Sequence, residues 1–169
     1  MIGKPTRQLQ QLALVSERLA AMPEVLGAIL VGSLASGTAD ACSDIDLLVR
    51  TPEGRFAAGW ERRHDVHGDS ALACWDQGPN PGSQVAVHRW VTTDMVMVEA
   101  LFASPASGAR LAKPWRVVVG DQAVADSFEP RPPIDRAEFT RDGAHPVDLA
   151  FDDLKNALRS MAPAAQGPR

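Results

Sequence analysis

Two aspartates one residue apart in an otherwise apolar run restrict this 169-residue chain more than any other feature. The stretch reads Gly32-Ser33-Leu34-Ala35-Ser36-Gly37-Thr38-Ala39-Asp40-Ala41-Cys42-Ser43-Asp44-Ile45-Asp46-Leu47-Leu48-Val49, with ten residues between Ser33 and Asp44. A strand alternates its side chains, so Asp44 and Asp46 point to one face with Cα atoms roughly 7 Å apart. The flanking Ile45, Leu47, Leu48 and Val49 read as a largely buried strand, where an unpaired carboxylate is costly or takes up a proton. Two carboxylates so placed repel unless a cation lies between them. A hard divalent ion is the natural partner, and a merely structural role is the weaker reading.

Upstream, residues 25–31 form an apolar run that stops at Gly32-Ser33, and residues 34–37 suit a short helical turn. Gly32 permits a close approach by another part of the chain, while Ser33 offers a hydroxyl and helix-start N–H groups to an anion. A plain helix cap is the alternative for Ser33. Together these residues describe a phosphate cradle beside a metal pair.

The Gly-Ser pair, the ten-residue spacer and the Asp-x-Asp pattern resemble the polymerase-beta-type nucleotidyltransferase superfamily, which includes antibiotic nucleotidyltransferases and the minimal nucleotidyltransferases found as bacterial antitoxins. The likeness is specific over residues 25–50 and thins toward residue 120. It implies an α+β fold, a small mixed, mostly antiparallel sheet flanked by helices. It also implies a third carboxylate on a later strand. Residues 95–102 are apolar on both faces except for Glu99, which the resemblance makes the third metal ligand and a candidate base. Asp94 is the rival, but it lies in the Thr92-Thr93-Asp94 turn and is better read as closing a hairpin.

Composition sets the outer limits. A chain of this length with 45% hydrophobic residues buries one good core, so a catalytic core over residues 1–121 and a proline-containing linker with a C-terminal helix over 122–169 is the expected plan. A net charge of −4 argues against broad capture of a nucleic-acid backbone, and template-directed synthesis fits poorly. No apolar stretch is long enough to span a membrane, and the N-terminus lacks the pattern of a signal peptide. A cytoplasmic protein is expected. Cys42 and Cys74, with no Cys-x-x-Cys motif, read as free thiols.

The remaining elements follow from periodicity. Residues 6–21 repeat Leu9, Leu12, Val15 and Leu19 at helical spacing before Pro23. A second helix is expected to start at Thr51-Pro52-Glu53, with Phe56 and Trp60 on one face. Residues 76–83 carry Gly78, Pro79, Asn80, Pro81 and Gly82 and read as a loop. Residues 84–91 and 95–102 form an antiparallel hairpin, and 115–119 a further strand. Residues 127–146 carry Pro130, Pro132, Pro133 and Pro146 without periodicity and read as a linker. Beyond Pro146, Val147, Phe151, Leu154, Leu158 and Met161 form an apolar stripe. It docks on the chain's own core or, as the alternative, supplies a homodimer or partner-helix seam.

Other side chains carry weaker signals. His64 and His67 share a helical spacing that suits a metal, but without a third ligand in the local sequence they read as surface residues. Arg62, Arg63, Lys113 and Arg116 are cations of the kind a triphosphate needs, each with an ordinary surface role as the default. Trp60, Trp75, Trp90 and Trp115 default to packing rather than base stacking.

The expected activity, implied by the resemblance and the residues, is transfer of a nucleoside monophosphate, AMP by preference, from a nucleoside triphosphate to a hydroxyl, with release of pyrophosphate. Asp44 and Asp46 would hold two Mg²⁺ ions, Glu99 would complete the metal site, and Gly32 and Ser33 would fix the outer phosphates. The acceptor is a protein or a small molecule. An antibiotic-type enzyme and a non-catalytic nucleotide- or partner-binding antitoxin module are the alternatives.

Overall fold

Each apolar run in the first 120 residues finds a partner at β-spacing. The computed structural model describes residues 4–131, 153–157 and 160. Its helices are α1 (Thr6–Ala20), α2 (Gly32–Ser36), α3 (Phe56–Glu61) and α4 (Gln122–Asp126). Its strands are β1 (Gly27–Val31), β2 (Ile45–Arg50), β3 (Ala71–Gln77), β4 (Val85–Thr92), β5 (Met97–Ala103), β6 (Arg110–Leu111), β7 (Arg116–Val119) and β8 (Glu129–Pro130). Six strands make one sheet in the order β3-β4-β5-β2-β1-β7, and β6 pairs with β8. Within the large sheet only β2 and β5 run parallel. The sheet is therefore mixed and mostly antiparallel, as the sequence suggests.

Strand alternation divides the core in two. Ala28, Leu30, Ile45, Leu47, Val49, Trp90, Val98, Ala100 and Phe102 pack with Leu12, Val15 and Leu19 of α1 and Phe56 and Trp60 of α3. On the other face, Ile29 and the partly buried Val31, Leu48, Leu101 and Val117 meet Leu111, Val124, Ala125 and Phe128. Asp46 and Glu99 occupy this second face, because each lies two residues before one of its members.

The buried face of α1 differs from the expected leucine stripe. Leu9 is 49% exposed, while Gln8 and Gln11 turn inward beside Leu12, Val15 and Leu19. Gln8 tolerates burial because its Nε2 donates to the carbonyls of Ala41 and Ser43 at 2.9 and 3.0 Å, and a buried amide needs such partners. Helix α3 starts at Phe56 rather than at Pro52, since Pro52 to Arg55 closes a turn first. Buried Glu24 holds this region through Arg55 and Arg62. Strand β3 has no counterpart in the sequence reading. Its residues 71–75 are an apolar run, but on an edge strand they stay mostly exposed and show no alternation that would announce a strand.

The described core continues past residue 121. Asp121 caps α4 by accepting from the Ala123 N–H at 2.9 Å, and the segment after it is clamped by Arg50. That buried guanidinium donates to the Ser104 and Ser127 carbonyls and to Ser127 Oγ, and lies 3.8 Å from the Phe128 ring centroid. Most of the expected linker, and Val147, Phe151, Leu158 and Met161 of the C-terminal stripe, lie outside the described residues. Within 153–157 the chain is helical, with Leu154 exposed and Lys155 buried. Among the described residues, no helix is long and apolar enough to cross a membrane.

Leu30, fully buried in β1, should lose about 2–5 kcal/mol on truncation to alanine. The Leu72→Ala change, at a residue 60% exposed on β3, should fall within about 0.5 kcal/mol of the parent. Urea unfolding of both variants measures the difference, and equal losses would contradict this division of the core.

Candidate functional site

The sheet register assembles the acidic site. In the antiparallel β1–β2 pair Asp46 lies opposite Val31, the residue before Gly32, and in the parallel β2–β5 pair it lies opposite Glu99. One position therefore neighbours both the glycine-serine turn and the third acid. Asp44 enters just before β2 from a loop held by Asp40, whose Oδ1 accepts from the Cys42 N–H at 2.8 Å and from Ser43 Oγ at 3.1 Å. Gln8 anchors the same loop from α1. Asp44, Asp46 and Glu99 thus share one face of the sheet.

Their proximity is visible in the electrostatics. Asp46 is pushed up from 3.8 to about 7, first by burial and then by the negative charges of Glu99 and Asp44, with Lys155 and Arg89 opposing. Burial disfavours the charged form of an acid, and like charges add to that. The two outer acids each have a cation against them. Lys155 Nζ donates to Asp44 Oδ2 at 2.5 Å, and Arg89 Nε donates to Glu99 Oε2 at 2.7 Å. Arg89 is held in turn by Gln77 Oε1 at 3.1 Å.

Gly32 has a stricter task than the sequence suggests. Its φ is +69°, which favours glycine, and a Cβ at this position would collide with Asp46 Oδ2. The turn at the head of α2 and the central carboxylate are in contact because position 32 has no side chain. Ser33, partly buried, lies beside them.

A cleft of about 1160 Å³ opens from Gly32 and Ser33 along this face of the sheet. Lys113, Arg131 and Arg110, the last paired with Glu129, bring positive charge to its walls, Asp126 adds a carboxylate, and Trp115 contributes an aromatic surface. Of the four cations singled out in the sequence, only Lys113 lines it. Arg62 pairs with Glu24 and Asp65, and Arg63 with Asp76. Arg116 is absent from its walls. Trp60 and Trp90 are core residues, as their default reading has it, whereas Trp115 faces the cleft. A second, smaller pocket of about 230 Å³ is bordered by Asp44, Lys155, Arg7 and Met97.

Lys155, Arg89, Arg110 and Arg131 are the site residues that sequence reasoning did not find. Arg89 was detectable in principle, since the hairpin register that brings Glu99 into the sheet sets Arg89 opposite it. Lys155 had no such signal, because it is 111 residues from Asp44 in sequence. The donor set itself is informative. An all-carboxylate group with its central acid strained by neighbouring charge, and with a lysine ammonium already against one member, fits a hard divalent cation.

Residues 12–92 match the model of a family described as a nucleotidyltransferase domain. Among solved structures, the chain is similar to Cid1 in complex with its short product ApU, at 16% identity and a TM-score of 0.37. That likeness covers 60% of this chain and 32% of the other, so the chain spans about a third of that protein's length. No curated protein matches the chain.

The raised pKa of Asp46 has a defined consequence for the metal-free chain. Its folded value, about 7, exceeds its ordinary 3.8. The protonated folded state is therefore favoured at low pH, and this contribution to stability is complete below about pH 4 and lost as pH rises through about 7. Urea midpoints measured with a chelator present should fall across that window. In Asp46→Asn the fall should flatten, and an unchanged slope would contradict this assignment.

Proposed function

We propose, from the match of residues 12–92 to the nucleotidyltransferase domain family, that the chain transfers a nucleoside monophosphate, AMP by preference, from a nucleoside triphosphate to the hydroxyl of a protein or small-molecule acceptor, releasing pyrophosphate. The observation that carries this reading is the arrangement of Asp44, Asp46 and Glu99 on one sheet face, against Gly32 and next to a cleft with basic walls. Asp44, Asp46 and Glu99 would hold two Mg²⁺ ions. When bound, the metal would polarise the transferred phosphoryl group and lower the pKa of the acceptor hydroxyl.

The chain's own side chains supply the rest. Ser33 offers its hydroxyl to the outer phosphates, and Arg110, Lys113 and Arg131 neutralise their charge across the cleft. Trp115 provides a face for the base. Arg89 holds Glu99 through Oε2, so that the carboxylate keeps its direction while serving as ligand or as acceptor of the hydroxyl proton. Lys155 balances the charge of Asp44, a part that a divalent ion would share when bound. The volume of the cleft exceeds the roughly 300–1,000 Å³ of an ordinary small-molecule pocket, which supports entry of part of the acceptor beside the donor. The work is positioning and charge stabilisation, without a covalent enzyme intermediate.

The test is incubation with Mg²⁺ and each nucleoside triphosphate carrying a labelled α-phosphate, alone, with cell lysate and with hydroxyl-bearing small molecules. Label should pass from the α-position and not from the γ-position. The Asp44→Ala plus Asp46→Ala protein should lose at least on the order of 10²–10³-fold in rate, the scale for removing electrostatic stabilisation. Equal labelling by that double variant, or transfer of the γ-phosphate, would refute the reading.

A further inference from the structure

On the opposite face of the sheet, the structure gathers three residues from the single stretch 64–74. His64 lies in the 3₁₀ turn Arg63–Val66, His67 follows that turn, and Cys74 lies on β3. One ligand atom from each falls within 4.8 Å of the other two. The surface reading of the two histidines does not survive for His67, which is 7% exposed. The missing third ligand is a cysteine from an edge strand that the sequence did not announce.

We propose that His64 Nδ1, His67 Nε2 and Cys74 Sγ form a second metal site, independent of the acidic cluster, for a borderline transition-metal ion of the zinc class. Three observations carry it. First, His64 Nδ1 and His67 Nε2 are 3.3 Å apart, close to the edge of a tetrahedron whose metal–nitrogen bonds are about 2.0–2.1 Å. Second, the other ring nitrogen of His67, Nδ1, is 2.7 Å from the Gly68 carbonyl. That contact makes Nδ1 the proton-bearing nitrogen and leaves a lone pair on Nε2, the outer-shell arrangement common to histidine ligands. Third, the His67 ring is stacked on His88 at 5.2 Å and tilted against Trp90 at 5.6 Å, so its direction is set before any ion arrives.

His64 is held below the usual histidine range, first by burial and then by the charges of Arg63 and His67. Cross-strand pairing sets Cys74 opposite Trp90 and Asp76 opposite His88, which turns the thiol toward the histidine turn. Asp76 is engaged elsewhere, with Oδ1 on His88 and Oδ2 on Arg63. Two nitrogens and one thiolate leave the fourth position of a tetrahedral ion to solvent, reached through exposed His64 and Cys74. Nitrogen with thiolate selects zinc-class ions over Mg²⁺, which prefers oxygen. The bound ion would tie the turn after α3 to the outer edge of the sheet and cover the most reactive atom of β3, the Cys74 sulfur.

The test uses the full chain with the metal alone. Cobalt(II), a spectroscopic stand-in for zinc, should titrate to one equivalent with a thiolate-to-metal charge-transfer band and the visible bands of a tetrahedral ion, and zinc should displace it. Cys74→Ser should abolish the charge-transfer band. His64→Ala should weaken binding by tenfold or more, since loss of even an outer-shell partner weakens metal sites by roughly 10–100-fold. Both changes are at exposed positions, and circular dichroism checks that each variant folds. The Asp44→Ala plus Asp46→Ala protein should bind cobalt as the parent does, which separates this site from the acidic one. Absence of a thiolate band at one equivalent, or a band that persists in Cys74→Ser, would overturn the proposal.

Discussion

The parallel pairing of β2 with β5 places Asp46 directly beside Glu99, and much else in the molecule answers the repulsion this creates. Antiparallel neighbours could be joined by a tight turn, but a parallel pair requires a long crossover, here supplied by α3, β3 and β4. That crossover brings Arg89 to Glu99 across the β4–β5 register. The segment at residues 153–157 brings Lys155 to Asp44. Asp46, between them, accepts burial and two like charges and responds by holding its proton to about pH 7. A group of acids kept together in this way is a poor stabiliser and a good receptor for positive charge.

The two faces of the sheet serve different ends. One carries the larger core, in which α1 and α3 cover Leu30, Leu47, Val98 and Phe102, and this rigid layer fixes the strands. The other is left open around Asp46 and Glu99, with α4 and the β6–β8 ribbon packed to one side. Arg50 connects the layers, because it leaves the end of β2 to bind the carbonyls of Ser104 and Ser127. The cleft wall that carries Arg110 and Arg131 is thus attached to the same strand that carries Asp46.

The acidic motif was legible because its chemistry is local: two carboxylates in an apolar strand are anomalous whatever surrounds them. Glu99 was legible for the same reason, as the single acid in residues 95–102. The hairpin, the strand at 115–119 and the first helix could be read from periodicity. Where burial departs from hydrophobicity the sequence misleads, as at Gln8, buried for its hydrogen bonds, and Leu9, left outside. Strand β3 was missed although residues 71–75 are apolar, because they show no alternation of apolar and polar positions. Lys155 was silent because its partner is 111 residues away, whereas Cys74 lies only seven residues past His67 and was missed with the strand that turns it toward the histidines.

The contact between Gly32 and the Asp46 carboxylate makes the glycine-serine turn and the strand that carries the acid a single mechanical part. A displacement of the turn meets the Asp46 carboxylate directly, so the spacing between them is fixed by the backbone at position 32 and a single short side chain. The apparatus can be tuned at its cleft wall, where long flexible cations reach inward, but at its centre it has almost no adjustable dimension.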